Sequence, residues 1–335
     1  MKTKKLIILF AAVIILSLTA IPAAASEMSE TLSEYMARLA VGRLYVPYYT
    51  VSPQNEPEES MPAEEENSTE ESFYKEETSS LSVPDGMIAV EAVNLSRYEL
   101  LDTPPLLLIN ETSYTADLIE EAKDIKKGAV LILHTHGTEA YLPDGVEYYG
   151  EGEDFRSHNE AETVVAVGEV FAEVLREAGL EVYHDTTMYD AADFENAYTA
   201  SRAGARAWLS KHPNIRYIID LHRDAVARNG KSCKTLCRGT AEPTAQVMLV
   251  IGTDDAGANH PGWEDNLALA ASYQRRLNAY PTLARPVYLR KASYNQQLSP
   301  GAMLIEIGSA ANTITEAKNA AVLAANAFVE LISQN

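Results

Sequence analysis

The chain has 335 residues, of which 46% are hydrophobic, and it carries a formal net charge of -21. This length and apolar content are enough for one sizeable domain with appendages. The acidic balance argues against nucleic acid as a partner. Much of the acidic charge lies in residues 52–80, so it does not characterise the folded part of the chain.

The first 25 residues have the layout of an export signal. A short lysine-rich start is followed by an apolar run at 6–25, which ends in three alanines. The run is close to the roughly 20 residues that span a bilayer, and its small-residue end is typical of a signal peptidase site. The pattern predicts either a cleaved signal or a retained membrane anchor. Both place the rest of the chain outside the cytoplasm, anchored or secreted, because the lysines stay inside.

Residues 26–83 are predicted to link this segment to a folded domain. Apolar residues recur at helical spacing within 31–43, which predicts a short juxtamembrane helix. Residues 52–80 are rich in Pro, Ser and Glu and contain too few apolar side chains to fold. We therefore expect a solvated acidic linker that leads to a domain at 84–335.

Within 84–335, apolar runs alternate with amphipathic patterns. The runs predict strands at 106–109, 129–133, 180–184, 216–221, 245–252, 287–289 and 302–307. The amphipathic patterns predict helices at 117–127, 161–178, 197–212, 266–278 and 315–332. Residues 142–160 show no period and are predicted to be a long loop. This order predicts an α/β fold with a mostly parallel or mixed central sheet and helices on both faces.

Three of the predicted strands finish on ionisable side chains. His136 and Glu139 follow 129–133, His222 follows 216–221, and Glu306 lies near the end of 302–307. The carboxyl ends of parallel strands meet at one edge of a sheet, where ligands bind. Two imidazoles and one carboxylate can hold Zn²⁺ and leave a coordination position open. The pattern predicts a catalytic zinc site at His136, Glu139 and His222.

Glu306 is predicted to be the general base of this site. It lies in the apolar sequence AMLIEIG, where a buried carboxylate is costly unless it is paired or functional. A carboxylate beside a zinc site can take the proton from the attacking water. The competing interpretation is a structural ion pair, for which Arg223 is the candidate partner.

Side chains around these residues have predicted supporting roles. Arg223 is expected to stabilise a tetrahedral oxyanion or to bind a substrate carboxylate through bidentate contacts. Asp220 and Asp224 are expected to orient the imidazoles. Tyr141 is expected to stack on substrate. Packing is the alternative for this residue and for three other aromatic residues, Tyr148, Tyr149 and Trp263.

The chain has two cysteines, Cys233 and Cys237. An exported chain can form disulfides, but a loop this short removes little chain entropy. We expect two ordinary residues or a minor local bridge rather than metal ligands.

Several motifs carry a resemblance to a known family. They are HTHGTEAY at 134–141, IIDLHRDA at 218–225, HPGWEDNLALA at 260–270 and YNQQLSPGAMLIEIG at 294–308. In this order they resemble the stage II sporulation protein P family, membrane-anchored cell-wall hydrolases of endospore-forming bacteria. The resemblance runs from about Ile109 to the C-terminus.

This resemblance implies a fold similar to zinc N-acetylmuramoyl-L-alanine amidases. It implies cleavage of the lactyl–alanine amide of peptidoglycan during engulfment, with additional endopeptidase activity on cross-linked stems. The implied partners are the stage II sporulation proteins D and M. Two alternatives stay open: a zinc peptidase not directed at the cell wall, and a catalytically degenerate peptidoglycan-binding partner.

The resemblance leaves the third zinc ligand open. In related amidases an acidic residue just before the helix predicted at 161–178 binds zinc, and Asn159, a poor ligand, stands at that position here. Glu139 is the predicted ligand instead, because His136 and Glu139 also resemble the His-x-x-Glu pair of zinc carboxypeptidases. Glu160 is the alternative. His134 is expected to support the site rather than bind metal.

Overall fold

The computed structural model describes residues 49–51, 83–96, 107–114, 122 and 125–333. The predicted export segment, juxtamembrane helix and acidic linker at 52–80 lie outside these residues, as does most of the helix predicted at 117–127. Of the whole segment predicted at 26–83 to join the export segment to the domain, only residues 49–51 and 83 are described. Among the described residues, no helix is both long enough and apolar enough to cross a bilayer.

The described residues form strands and helices that alternate through most of the domain. The strands are β1 (Tyr49–Val51), β2 (Met87–Ala89), β3 (Glu91–Val93), β4 (Leu107–Asn110), β5 (Ala129–Leu133), β6 (Tyr148–Gly150), β7 (Val182–His184), β8 (Ile215–Asp224), β9 (Ala227–Arg228), β10 (Lys231–Thr235), β11 (Val247–Gly252), β12 (Val287–Arg290) and β13 (Gly301–Ser309). The α-helices are α1 (Val164–Glu177), α2 (Ala197–Lys211), α3 (Trp263–Leu277) and α4 (Ile314–Ile332).

Eight strands form one mixed sheet in the order β1-β4-β12-β11-β13-β8-β5-β7. Every neighbouring pair is parallel except β11 and β13, which are antiparallel. The sheet therefore consists of two parallel blocks that run in opposite directions. The carboxyl ends of β5, β8 and β13 meet at one edge, whereas the carboxyl ends of β11 and β12 lie at the other.

Helices cover both faces of this sheet, as predicted. Alternate residues of a strand face opposite sides. Val130 of β5 is in the main apolar core, which also holds the buried faces of α1, α3 and α4. Leu131 is in a second core with Ala205 of α2. The predicted α/β class with a mixed sheet is confirmed.

The two strands that carry ionisable residues are longer than predicted. β8 continues through His222 to Asp224, and β13 continues past Glu306 to Ser309. These polar residues are therefore inside the strands, where pairing between β8 and β13 supplies backbone hydrogen bonds.

Two boundaries differ from the prediction for local reasons. Helix α1 begins at Val164 because the Thr163 side chain accepts a hydrogen bond from the backbone of Val165 and caps the helix. The predicted loop at 142–160 contains strand β6, which pairs with the distant strand β2.

Candidate metal centre

The loop after β5 is held by two buried carboxylates. Asp220 accepts hydrogen bonds from the backbone nitrogen of Thr135 at 2.8 Å and from its hydroxyl at 2.6 Å. Asp190 accepts from both the backbone nitrogen and the hydroxyl of Thr138. Between them, a Cβ on Gly137 would lie 2.8 Å from Cα of Met188, so the close backbone approach requires glycine. These contacts fix the positions of the residues that flank the loop.

The three predicted zinc ligands lie together in the structure. Each of His136, Glu139 and His222 offers one ligand atom, and these atoms are all within 4.8 Å of one another. Nδ1 of His136 is 3.6 Å from Oε1 of Glu139, and Nδ1 of His222 is 3.3 Å from Oε2. Both histidines therefore present a ring nitrogen to one carboxylate at the carboxyl ends of β5 and β8.

Charges around Glu139 and His222 are strongly coupled. Burial alone would raise the pKa of Glu139, but the charge of His222 and hydrogen bonds from both histidines lower it well below its usual range. Burial would lower the pKa of His222, but the charges of Asp220 and Glu139 raise it well above its usual value. The two carboxylates therefore favour the protonated form of His222.

Glu306 lies beside this cluster. Its Cα pairs with that of His222 in the β13–β8 ladder. Its Oε2 atom is buried and has no hydrogen-bond partner among the residues that the structure describes. Burial, with the negative charges of Asp224 and Glu139, outweighs the charge of His222 and raises the pKa of Glu306 to about 8. The predicted ion pair with Arg223 is not among the contacts of the described residues.

Of the two aspartates expected to orient imidazoles, Asp220 lies at the site. Its Oδ1 is 2.9 Å from Nε2 of His222, although the angle is not that of a hydrogen bond. Asp224 instead forms an ion pair with Arg285 at 2.7 Å. Asp220 thus links Thr135 to His222, and Nδ1 of His222 is left facing Glu139.

His134 is held behind the metal ligands in a buried chain of polar groups. Its Nδ1 is 2.8 Å from the carbonyl of Leu221, and its Nε2 is 2.8 Å from Nε2 of His184. Nδ1 of His184 is 2.6 Å from Glu169. Burial and the neighbouring His184 lower the pKa of His134 to about 3, so this imidazole is neutral. His134 is outside the cluster of three candidate ligands, and its supporting role stays a prediction.

The side chain of Arg223 is engaged with the protein backbone. Nε donates to the carbonyl of Ala140 at 3.0 Å, Nη2 to that of Phe155 at 2.9 Å, and Nη1 to that of Asp224 at 3.4 Å. The backbone nitrogen of Arg223 donates to Glu139 at 3.1 Å. These contacts favour a positioning role, in which Arg223 ties the Glu139 segment to β8. The predicted substrate contact stays a prediction.

The predicted aromatic contacts are also internal. Tyr141 is buried and its hydroxyl donates to the carbonyl of Ile307 at 2.8 Å. Tyr149 is buried, and its hydroxyl accepts from the backbone of Ser232. Trp263 stacks on Tyr114 and begins α3, which packs beside β11. For these residues the structure favours the packing alternative, and no such contact is described for Tyr148.

A divalent cation fits this arrangement. Two imidazoles and one carboxylate are the donor set of many catalytic zinc sites, and three protein ligands leave a position for water. Glu139, Asp220 and Glu306 surround His222 with carboxylates. A cation at the three ligands would offset this negative charge and lower the pKa of Glu306 again.

A comparison with protein families assigns the chain. The family model described as stage II sporulation protein P matches residues 27–329. The chain belongs to the stage II sporulation protein P family. Among curated proteins, stage II sporulation protein P of Bacillus subtilis (strain 168) is 30% identical over 218 residues, which cover 61% of this chain. The aligned region spans 51% of that relative.

Solved structures of amidases show weak similarity to this family member. An N-acetylmuramoyl-L-alanine amidase from Clostridium difficile 630 is 13% identical, covers 63% of this chain and is itself covered to 99%, with a TM-score of 0.39. The AmiC2 amidase of Nostoc punctiforme is 12% identical, with a TM-score of 0.35. The match covers 63% of this chain and 98% of the amidase chain.

The two alternative third ligands lie outside the cluster of this family member. Asn159 is exposed, and its side chain caps the short 3₁₀ turn Glu160–Glu162 by accepting from Ala161. Glu160 belongs to that exposed turn. The carboxylate that the structure brings to the two histidines is that of Glu139.

Both cysteines are free. Cys233 is buried in β10, and Cys237 is partly buried. Neither belongs to a metal-binding cluster among the described residues.

Three side chains at the site were missed by sequence analysis. Phe194 is 51% exposed and stacks on His136 with ring centroids 4.6 Å apart. Tyr198 lies edge-on to His136 at 5.4 Å and parallel to His222 at 6.5 Å. Arg156 lies over Phe194, with Cζ 4.3 Å from the ring centroid. Phe194 lies in the aperiodic segment before α2, Tyr198 lies in the first turn of α2, and Arg156 lies in the loop predicted at 142–160.

Proposed function

We propose that this protein is a zinc-dependent peptidoglycan hydrolase that cleaves the N-acetylmuramoyl-L-alanine amide. The observation that carries the proposal is the convergence of His136, Glu139 and His222, with ligand atoms within 4.8 Å of one another, beside Glu306. Family membership supports a role in the cell wall during sporulation.

His136, Glu139 and His222 would hold the zinc. When bound, the ion lowers the pKa of a water molecule to about 7 and polarises the scissile carbonyl. Asp220 accepts a hydrogen bond from the backbone of Thr135 and places its charge 2.9 Å from Nε2 of His222, on the side of the ring away from Glu139. Arg223 keeps the Glu139 segment against β8.

Glu306 supplies the proton transfers. A carboxylate with an unpartnered buried oxygen can accept the proton from the attacking water and donate it to the leaving nitrogen. The leaving group is the α-amino group of L-alanine, which must be protonated as the C–N bond breaks. One residue therefore acts first as a base and then as an acid.

The setting of the reaction is part of the same proposal. The N-terminal segment would export the protein and attach it to the membrane or be cleaved, which places the domain next to peptidoglycan. The stage II sporulation proteins D and M are the proposed partners. An additional endopeptidase activity on cross-linked stems uses the same zinc chemistry on a peptide amide.

The full-length protein should be incubated with zinc and purified sacculi to test this function. New N-terminal L-alanine, detected by amine labelling of the digest, is the expected product. Conversion of cross-linked muropeptide dimers to monomers would report the endopeptidase activity. New reducing sugar ends would contradict the proposal, because they show cleavage of a glycosidic bond. Binding to sacculi without any product would identify the degenerate alternative.

A further inference from the structure

Arg156 and Arg223 both lie next to Glu139, but their guanidinium groups differ in how many N–H donors are already hydrogen-bonded. All three nitrogens of Arg223 donate to backbone carbonyls. Arg156 uses Nη1 alone, which donates to Thr138 and to Asp190 at 2.9 Å each. Its Nε and Nη2 have no partner among the described residues, and its side chain is 32% exposed. One edge of the Arg156 guanidinium is therefore available to a ligand.

The position of Arg156 is fixed beside the metal centre. Its backbone forms a bridge with that of Glu139. Its guanidinium lies over the ring of Phe194, and that ring stacks on the imidazole of His136. The buried carboxylate of Asp190 accepts a hydrogen bond from Nη1 of the same guanidinium. Because the group is already immobilised, a ligand would lose little free energy in ordering it.

We propose that the Nε–Nη2 edge of Arg156 binds a carboxylate of the peptide attached to the scissile amide. A guanidinium has five N–H donors, and two are used at Nη1. The remaining three include the parallel pair that binds a carboxylate in bidentate geometry. The half-exposed ring of Phe194 forms the apolar wall between this edge and His136. The inference rests on the proposed function and adds to it the anionic class of the substrate.

A pair of ligands that differ only in charge tests this subsite. N-acetylmuramoyl-L-alanyl-D-glutamate carries two free carboxylates, and its diamide is neutral with the same shape. Both are titrated, by nuclear magnetic resonance, into the zinc-loaded full-length E306Q variant, in which cleavage is slow. Charge-assisted bidentate contacts predict that the acid binds about 10-fold to 100-fold more tightly than the diamide.

The same titrations in the E306Q background are repeated with R156Q and with a matched control, R290Q. Arg290 is also paired with a carboxylate, Glu111, and lies over the ring of Tyr288 at 4.8 Å, but at the other edge of the sheet. R156Q should reduce the preference for the acid to about one, and R290Q should leave it unchanged. A purely structural role of Arg156 would weaken both ligands equally and preserve the ratio.

Three results would overturn the subsite. They are a preference near one in E306Q, a preference that R156Q does not change, and a preference that R290Q removes as well. Cleavage of the acid by the wild-type protein is measured separately and reports the proposed function. If the wild type binds the acid selectively but does not cleave it, the hydrolase proposal fails and the carboxylate subsite stands.

Discussion

Glu306 lies directly beside His222, because the two residues are partners in the parallel ladder of β13 and β8. A shift of this register by one residue would turn Glu306 to the other face of the sheet. The pairing therefore sets the distance between the proposed base and one proposed zinc ligand. It also places two carboxylates, Glu306 and Glu139, on either side of His222.

Asp220 should control zinc affinity without binding zinc. D220N keeps the shape of the side chain but removes the charge beside His222 and weakens its hold on Thr135. Loss of such an outer contact typically costs about 10-fold to 100-fold in metal affinity. Competition with a fluorescent zinc chelator measures this affinity. D224N is the matched control, because Asp224 pairs with Arg285, and equal losses in both variants would contradict the assignment.

Arg223 should prove to be a positioning residue. R223M keeps the length of the side chain but leaves the carbonyls of Ala140 and Phe155 without their donor. Buried unpaired groups of this kind cost about 1–3 kcal/mol each, so the free energy of unfolding should fall in urea titrations. If Arg223 contacts substrate instead, R223M would raise KM for sacculus fragments and leave stability unchanged.

Gly137 should be needed for the shape of the metal loop. A methyl group there would meet Cα of Met188 at 2.8 Å and its Cγ at 2.9 Å, so the loop must move. G137A should lower the unfolding free energy by about 1–3 kcal/mol, as overpacking does, and should weaken zinc binding. G262A is the control, because its new methyl would have only Asp265 within reach, at 4.0 Å. Normal zinc affinity in G137A would show that the loop geometry is not critical.

Cys237 gives a pH-dependent test of the packing around β11. Burial raises the pKa of its thiol to about 12, so at pH 9 the thiolate forms readily only in the unfolded chain. Alkylation by iodoacetamide at pH 9 should be slow in the folded protein and fast in urea. Because the pKa of this thiol is higher in the folded than in the unfolded chain, its titration affects the free energy of unfolding. The contribution of Cys237 is fully present below about pH 9 and is lost as the pH rises towards the folded-state pKa. C237A should flatten this loss, and rapid alkylation of the folded protein would contradict the burial.

The grouping of His136, Glu139 and His222 was predictable because each residue lies at or just after the end of a clear apolar strand pattern. The apolar run of β5 is buried throughout, and His136 and Glu139 follow it without a gap. The apolar parts of β8 and β13 carry His222 and Glu306 to the same edge. Once the strands are parallel neighbours, their carboxyl ends must meet, so sequence order and sheet topology were sufficient.

The contacts of Phe194 and Arg156 beside His136 were not predictable by the same reasoning. Phe194 belongs to a segment with no regular spacing, and Arg156 belongs to the long predicted loop. Their positions depend on contacts between distant parts of the chain, such as the bond from Arg156 to Asp190. At Arg223 the sequence position next to His222 predicted a substrate contact, whereas the structure shows its guanidinium donating to backbone carbonyls. Sequence position does not show that its donors are already used.

In the proposed mechanism, Glu306 acts as the base of a zinc site formed by His136, Glu139 and His222. The direct test is the rate at which new N-terminal L-alanine forms in sacculi per bound zinc in the full-length E306Q variant, with zinc measured in the same sample. General acid–base catalysis contributes about 10²–10⁴-fold, so E306Q should retain zinc and lose activity by that factor, whereas E139Q should lose zinc. Near-normal turnover in E306Q, or loss of zinc in E306Q with full zinc in E139Q, would contradict the account.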